Sequence, residues 1–451
     1  MTDLLLVFLS SLLGLLIAGV VVGFFFLKKI TKEICMAKNL KRISNWLLMF
    51  TKLDWRNYIE TMLRAEEGKS IARPFGTPIR HFSWNKIQFN PVYLSKTPLD
   101  DVEVNTEIVL GPRAKQPLKL EIPILLAGMA YGSALSLRSH QALGGAAKQV
   151  GSVLNFGNGV FLPEMRRETD KFVLQIPRAY WSREPEIWQQ VDLIEIGLGH
   201  SAWASAPIRI DGYRVSPDFA DRIKAIPGLD LEIHSNLPEN TSFKELKQFV
   251  QDIKAASGGK PVGFKFGCSH YIERELEKMI EAGADVIFFD GNEGGTHGSP
   301  PLFQDHFGLP LLPGLCRAAK FMRDNQLCGK VSLVVGGGLS TPGDFLKCLA
   351  LGADAVIVGT IAVLSMVSSQ VTKTLPWEPP TEIVYHGAQK EDSFDYQLGG
   401  QHLSNYLESC LCEMKELTKI LGKTRLTDLN KNDLVALDPI YAQIAEIECI
   451  Y

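Results

Sequence analysis

The sequence predicts an α/β protein, a TIM (β/α)8 barrel preceded by one N-terminal transmembrane helix. Three observations predict it: a charge-free apolar run near the start, eight short apolar segments alternating with helix-like stretches beyond residue 120, and glycine-rich turns after the last two of those segments. The expected organisation is an anchor over 1–30, a juxtamembrane and lead-in segment over 31–120, and the barrel over 121–445.

The anchor is read from residues 4–27, LLLVFLSSLLGLLIAGVVVGFFFL, since about 20 apolar residues suffice to cross the hydrocarbon core as a helix. Lys28, Lys29, Lys32, Lys38, Lys41 and Arg42 follow it, whereas a secretory signal would have a basic start and a shorter apolar region. The positive-inside rule therefore predicts a single-pass protein with everything after Lys28 in the cytoplasm. Residues 31–120, with Trp46, Trp55 and Trp84 and the proline-containing stretches RPFGTPIR and FNPVYLSKTPLDD, read as an amphipathic helix and then an irregular, partly stranded lead-in without evident chemistry.

Eight strands are predicted in order: 123–129, 152–157, 172–176, 192–197, 261–267, 285–291, 331–337 and 354–360. Residues 231–236 (LEIHSN) are an extra candidate, so an insertion is expected between the fourth and fifth strands. A barrel of this kind builds its site at the carboxyl ends of its strands. There the sequence places Gly128, Asn155, Gln175, Lys265, the Gly294-Gly295-Thr296 turn, the run Gly336-Gly337-Gly338, and Gly359.

The turns VVGGGLSTPGD and VGT after the last two strands let backbone N–H groups approach a phosphate beside a helix N-terminus. In VGFKFG, alternation puts Val262, Phe264 and Phe266 on one face and Lys265 on the other, pointing into the barrel. A buried ammonium needs a strongly accepting partner. Two are available: the N1/O2 region of a reduced flavin ring, or Glu195, which alternation also turns inward. Gly197-x-Gly199-x-x-Ala202 looks like a dinucleotide fingerprint, but proline and β-branched residues follow where that motif needs a helix.

Composition bounds the partners. With 47 Lys and Arg against 50 Asp and Glu, the net charge of -3 provides no basic field for nucleic acid, while a small anionic substrate needs only a local cluster. The eight cysteines form no CxxC pair and are expected to be reduced thiols, and no metal site is expected.

Taken in order, these segments resemble the FMN-binding synthase domain of the glutamate synthase family over residues from about 120 to 440. AGMAYGSALSLRSHQALGGAAKQVG is similar to the family's GMSYGALS segment, NFGNG to NTGEGG, VLQI to KQI, IEIG to IEIK and VGFKF to VKL. DVIFFDGNEGGTHGSP is close to the strand leading into DGGTGASP, VVGGGLSTPGD to DGGLRTGxDV and LGADAVIVGT to LGAxxxxxGT. LSNYLESCLCEMKELTKILGKTRLTDLNKNDL resembles the segment that closes the family's barrel.

The resemblance implies a barrel of the FMN-dependent type and a reductive amination, in which reduced FMN converts 2-oxoglutarate and ammonia to glutamate. It implies that Gly128, Met129, Ala130, Asn155, Gln175, Lys265, Gly295 and Thr296 contact the ring or ribityl chain, and Gly337, Gly338, Gly359 and Thr360 the phosphate. Lys265 and His297, the latter inside EGGTHGSP, are the candidate catalytic residues. His200, His234, Arg166 and Arg167 are further candidates near strand ends.

Departures from the family fall on the substrate side. Gly197 and Trp203 stand where the family's IEIKxxQGAKPG has lysines, and Asn158 where NTGEGG has its glutamate. AVLSMVSSQVTK lacks the cysteines that hold the family's iron–sulfur cluster, so none is expected. The sequence also has no N-terminal nucleophilic cysteine and no amidotransferase domain. A separate electron-donor protein or reductase is expected as a partner. A different FMN-dependent oxidoreductase or isomerase reaction, and a membrane-tethered flavin-binding scaffold with little catalysis, are the alternatives.

Overall fold

The structure, a computed structural model, describes residues 21–33, 36–376 and 378–451. Most of the apolar run 4–27 lies outside the described residues, and among those described no helix is long and apolar enough to cross a membrane. The chain divides into two compact units, residues 1–71 and 72–451.

In the first unit, residues 21–33 are helical, and the helices Ala37–Lys52 and Trp55–Glu67 follow. The second of these is absent from the sequence expectation, which had one helix here. Asp54 starts it, its carboxylate accepting the Arg56 N–H at 2.8 Å, and Gly68 ends it in the left-handed region at φ 63°. Phe50 and Tyr58 meet edge to face across the turn, with ring centroids 5.7 Å apart.

The second unit is built on eight parallel strands: β1 (Ile124–Leu126), β2 (Leu154–Asn155), β3 (Phe172–Ile176), β4 (Leu193–Gly197), β5 (Val262–Gly267), β6 (Val286–Asp290), β7 (Ser332–Gly336) and β8 (Ala355–Val358). Their hydrogen-bonded order is β2-β3-β4-β5-β6-β7-β8-β1. Between the end members, the Glu121 N–H donates to the Gly151 carbonyl at 3.0 Å and the Ser152 hydroxyl to the Ile124 carbonyl at 2.6 Å, which closes the barrel. Each predicted strand is present, trimmed at its ends where the backbone turns toward the loops. LEIHSN supplies a strand as well, Leu231–Ile233, paired antiparallel with Ile208–Ile210 in an insertion outside the barrel.

Two apolar layers follow from strand alternation. Val262, Phe264 and Phe266 of β5 join the larger core beneath the helices. Leu125, Val173, Leu193, Val286, Phe288, Val334 and Ile357 point inward and form a second core with Ile108, Leu110, Leu118 and Leu120. These last four belong to an antiparallel hairpin of Ile108–Leu110 with Leu118–Leu120. The Gly111 N–H donates to the Ser332 hydroxyl at 3.0 Å, so the hairpin plugs the barrel at the amino ends of its strands. Function is left to the opposite end.

Candidate functional site

Above the plug the inward positions turn polar. Asn155, Gln175, Glu195, Lys265 and Asp290, one from each of β2 to β6, are all buried. Gln175 donates to one oxygen of Glu195, and Asn155 donates to the other at 3.2 Å. Lys265 Nζ lies 3.3 Å from Asp290 Oδ2. Burial pulls the Lys265 ammonium down, but the carboxylates of Asp290 and Glu195 outweigh it and hold its pKa above the usual lysine value. Burial pushes the Glu195 carboxyl up, against the pull of Lys265 and its amide donors. Of the two partners the sequence offered Lys265, Glu195 acts through its charge alone, while the ion pair is made with Asp290.

A cavity opens over this layer. Gly128, Met129, Ala130, Gln175, Lys265, Gly295, Thr296, Gly337, Gly338, Gly359 and Thr360 all line it, as does His297. Asn155 does not. It stands one layer back, its Oδ1 accepting the Gly157 N–H at 2.9 Å while its amide holds Glu195, so it shapes the wall without forming it. Gly337 and Gly338 adopt φ of 131° and 66°, which side-chain-bearing residues rarely do, and thereby turn the chain after β7 along the cavity. Beside them the helix Thr360–Val367 begins at Gly359 with no side-chain cap, leaving its first-turn N–H groups for a ligand. These residues could hold a phosphate; Gln175 and Lys265 could face a planar ring with accepting atoms.

The remaining wall carries Asn158, His200, Trp203, Arg209, Arg214, His297 and Tyr385. Arg214 donates to the Ser133 carbonyl at 2.7 Å. His297 packs against Tyr385 with centroids 4.0 Å apart, and its Nδ1 is buried with no hydrogen-bond partner among the described residues. Burial, helped by the charge of Arg214, lowers its pKa to about 4; burial does the same to His200. Both rings are neutral at pH 7 and can accept as well as donate. Trp203 stacks on Phe303 at 6.2 Å. Gly197 is buried against Gln175, where an added Cβ would stand in contact at 3.4 Å from its side chain.

Arg166 and Arg167 are outside this wall. The Arg166 guanidinium lies 4.2 Å from the Phe172 ring centroid and donates to the carbonyls of Asp170 and Gln190. His234 is exposed near Glu232. No helix follows Gly199, as a dinucleotide site would require. Sequence reasoning missed Asp290, Arg209 and Arg214. Alternation through Val286 and Phe288 would have turned Asp290 inward, whereas the two arginines lie on the insertion, whose path no periodicity describes. Among the described residues, no group of three or more His, Cys, Asp or Glu side chains is arranged to hold a metal ion.

Solved structures similar to the chain include a soluble mutant of the membrane-associated (S)-mandelate dehydrogenase from Pseudomonas putida, at a TM-score of 0.51 and 15% identity, covering 78% of this chain and 88% of that one. A flavocytochrome b2 variant with benzoylformate gives 0.50 and 14%, over 80% and 78%. These likenesses show the fold. A glutamate synthase large subunit-like protein of Rhizobium meliloti is 28% identical over 404 residues, 85% of this chain and 91% of the relative. The archaeal-type glutamate synthase [NADPH] of Thermotoga neapolitana is 27% identical over 326 residues, 72% of this chain but only 64% of the relative's own length. Residues 86–424 match the family described as the conserved region in glutamate synthase. By that match, which spans most of its length, the chain belongs to the glutamate synthase family.

Proposed function

We propose that this protein is an FMN-dependent oxidoreductase that reductively aminates an anionic 2-oxo acid, with 2-oxoglutarate and ammonia giving glutamate as the first candidate reaction. The observation that carries the reading is one cavity joining a glycine-lined phosphate cradle, the Gln175 and Lys265 pair, and a cationic wall of Arg209 and Arg214. The unpartnered Nδ1 of His297 supports it, because a buried polar atom without a partner is costly unless a ligand or water meets it. When bound, FMN would supply the hydride that reduces the imine formed from the 2-oxo acid and ammonia with loss of water. Lys265 would hold positive charge in the cavity wall and favour the anionic reduced form of the ring. Arg209 and Arg214 would bind carboxylate, and neutral His297 would hold a polar atom of the substrate or its water.

The electrons are assigned to a separate donor protein or reductase; the Thermotoga relative is named for NADPH. The barrel is placed on the cytoplasmic face, tethered by the apolar run 4–27, on the strength of that run and the lysines after it. The test is to purify the full chain, reduce its flavin anaerobically and add 2-oxoglutarate with ammonium. Reoxidation with formation of glutamate is expected. A reduced flavin indifferent to that pair removes the glutamate reaction.

A second reading keeps the flavin and changes the acceptor. Trp203 and Gly197 favour it, since an indole stacked on Phe303 and a buried glycine packed beside Gln175 stand in place of two cations of the family motif. A panel of other 2-oxo and 2-hydroxy acids in the same assay separates the two.

A further inference from the structure

The phosphate end of the cavity has a gap in its charge. Its lining there consists of Gly337, Gly338, Leu339, Gly359 and Thr360, none of them cationic. The family motif DGGLRTG carries arginine where this chain has Ser340. A phosphate dianion on this cradle would meet backbone N–H groups and the Thr360 hydroxyl, and no cation.

One guanidinium stands at that place, and it comes from the lead-in segment. An added Cβ at Gly338 would lie 3.0 Å from Arg80 Nη1 and 3.3 Å from its Cζ, so the planar group rests against the turn after β7. Among the described residues Arg80 has no ion-pair or hydrogen-bond partner, although its charge reaches the buried Glu293 carboxyl. Its guanidinium, which carries five N–H donors, thus stands behind the Gly338 turn rather than in the cavity lining itself.

The position of Arg80 is fixed by residues 73–79, which form a strap over the loop after β6. Arg73 and Ser299 exchange backbone hydrogen bonds at 2.9 and 3.2 Å, and the Phe75 N–H donates to the Thr296 carbonyl at 2.9 Å. Gly76, at φ 83°, lies so close to Gly294 that a Cβ would fall 2.3 Å from its carbonyl oxygen. The Thr77 hydroxyl donates to Asp305 at 2.6 Å and accepts the Ile79 N–H at 3.1 Å. Pro74 and Pro78 stiffen the path. Phe75 itself lines the cavity.

We propose that Arg80 is the cationic ligand of the cofactor's phosphate, delivered by the strap in place of the arginine that the family motif carries after its glycines. The proposal rests on the flavin reading of the cavity. Arginine suits the task because its fork matches two phosphate oxygens at once.

The test compares flavins with and without the phosphate. Full-length protein in detergent is stripped of flavin and titrated with FMN and with riboflavin, following flavin fluorescence, for the wild type and for Arg80→Lys, Arg80→Gln and Arg80→Glu. Arg80 is exposed, so these changes leave the core intact. FMN affinity is expected to fall in that order, by about tenfold or more for Arg80→Gln, while riboflavin affinity stays level. FMN affinity unchanged in Arg80→Gln, or an equal loss for both flavins, overturns the assignment of Arg80. A wild-type protein that binds riboflavin as tightly as FMN, or binds neither, overturns the phosphate cradle itself.

Discussion

Lys265 Nζ and Asp290 Oδ2 face each other at 3.3 Å on adjacent strands, both residues buried, with Glu195 close enough to raise the same ammonium's pKa. Removing the ammonium leaves the buried Asp290 carboxylate without its ion-pair partner. Lys265→Met is expected to cost about 3–5 kcal/mol, and Asp290→Asn in that background to restore part of it. Urea unfolding of the two single variants and the double variant measures the coupling; additive losses would show that the two groups do not interact.

The contribution of His200 and His297 to stability should fall as pH drops from about 6.5 to about 4, while Asp354, raised by burial to about 6, works in the opposite direction. His200 and His297 are neutral in the fold down to about pH 4, whereas in the unfolded chain they take up protons near 6.5. Within that window the unfolded chain binds more protons at these two rings, so their contribution rises with pH by about 3 kcal/mol at most for each ring. Unfolding curves across pH 4 to 7 for the wild type and His297→Gln check this, the variant showing the shallower slope. Parallel slopes would mean that His297 is not held neutral.

Gly337→Ala would force a side chain into φ 131° with its Cβ 2.9 Å from the Gly291 nitrogen. A cost of about 1–3 kcal/mol is expected, together with loss of retained flavin. Melting temperature and the flavin-to-protein absorbance ratio report the two effects separately.

Leu110→Ala tests the plug. Leu110 is fully buried in the inner core, far along the strands from the cavity. About 2–5 kcal/mol should be lost on denaturant unfolding, with the visible flavin spectrum unaltered. A shifted spectrum would contradict the separation of the two ends.

Arg214→Met should weaken an anionic acceptor by about tenfold or more, since a charge-assisted bond is lost beside His297. Perturbation of the flavin spectrum by 2-oxoglutarate gives the dissociation constant. An unchanged value would place the carboxylate elsewhere.

Strand order and facing were legible in the sequence because alternation is a local property, and VGFKFG alone turned Lys265 inward. Most of the cavity wall was legible for the same reason, its residues being strand ends and the turns after them. Asn155 is outside the cavity lining because its amide turns to Glu195, which a strand of two residues gives alternation little chance to reveal. Arg166, whose charge read better as part of a solvated pair than as a carboxylate ligand, has its guanidinium over Phe172. The strap was invisible: residues 73–80 have no period, and their meaning comes from Ser299, Thr296 and Asp305, which lie far along the chain.

Arg73 reaches Gln304 across 231 residues of sequence. A chain made from its amino end therefore exposes the strap long before its seat on the β6 loop exists. Contacts of such separation form late. The wall of the cavity that Phe75 lines is thus completed only by joining two segments from opposite halves of the sequence, and a chain that stops before β6 lacks the seat of the strap.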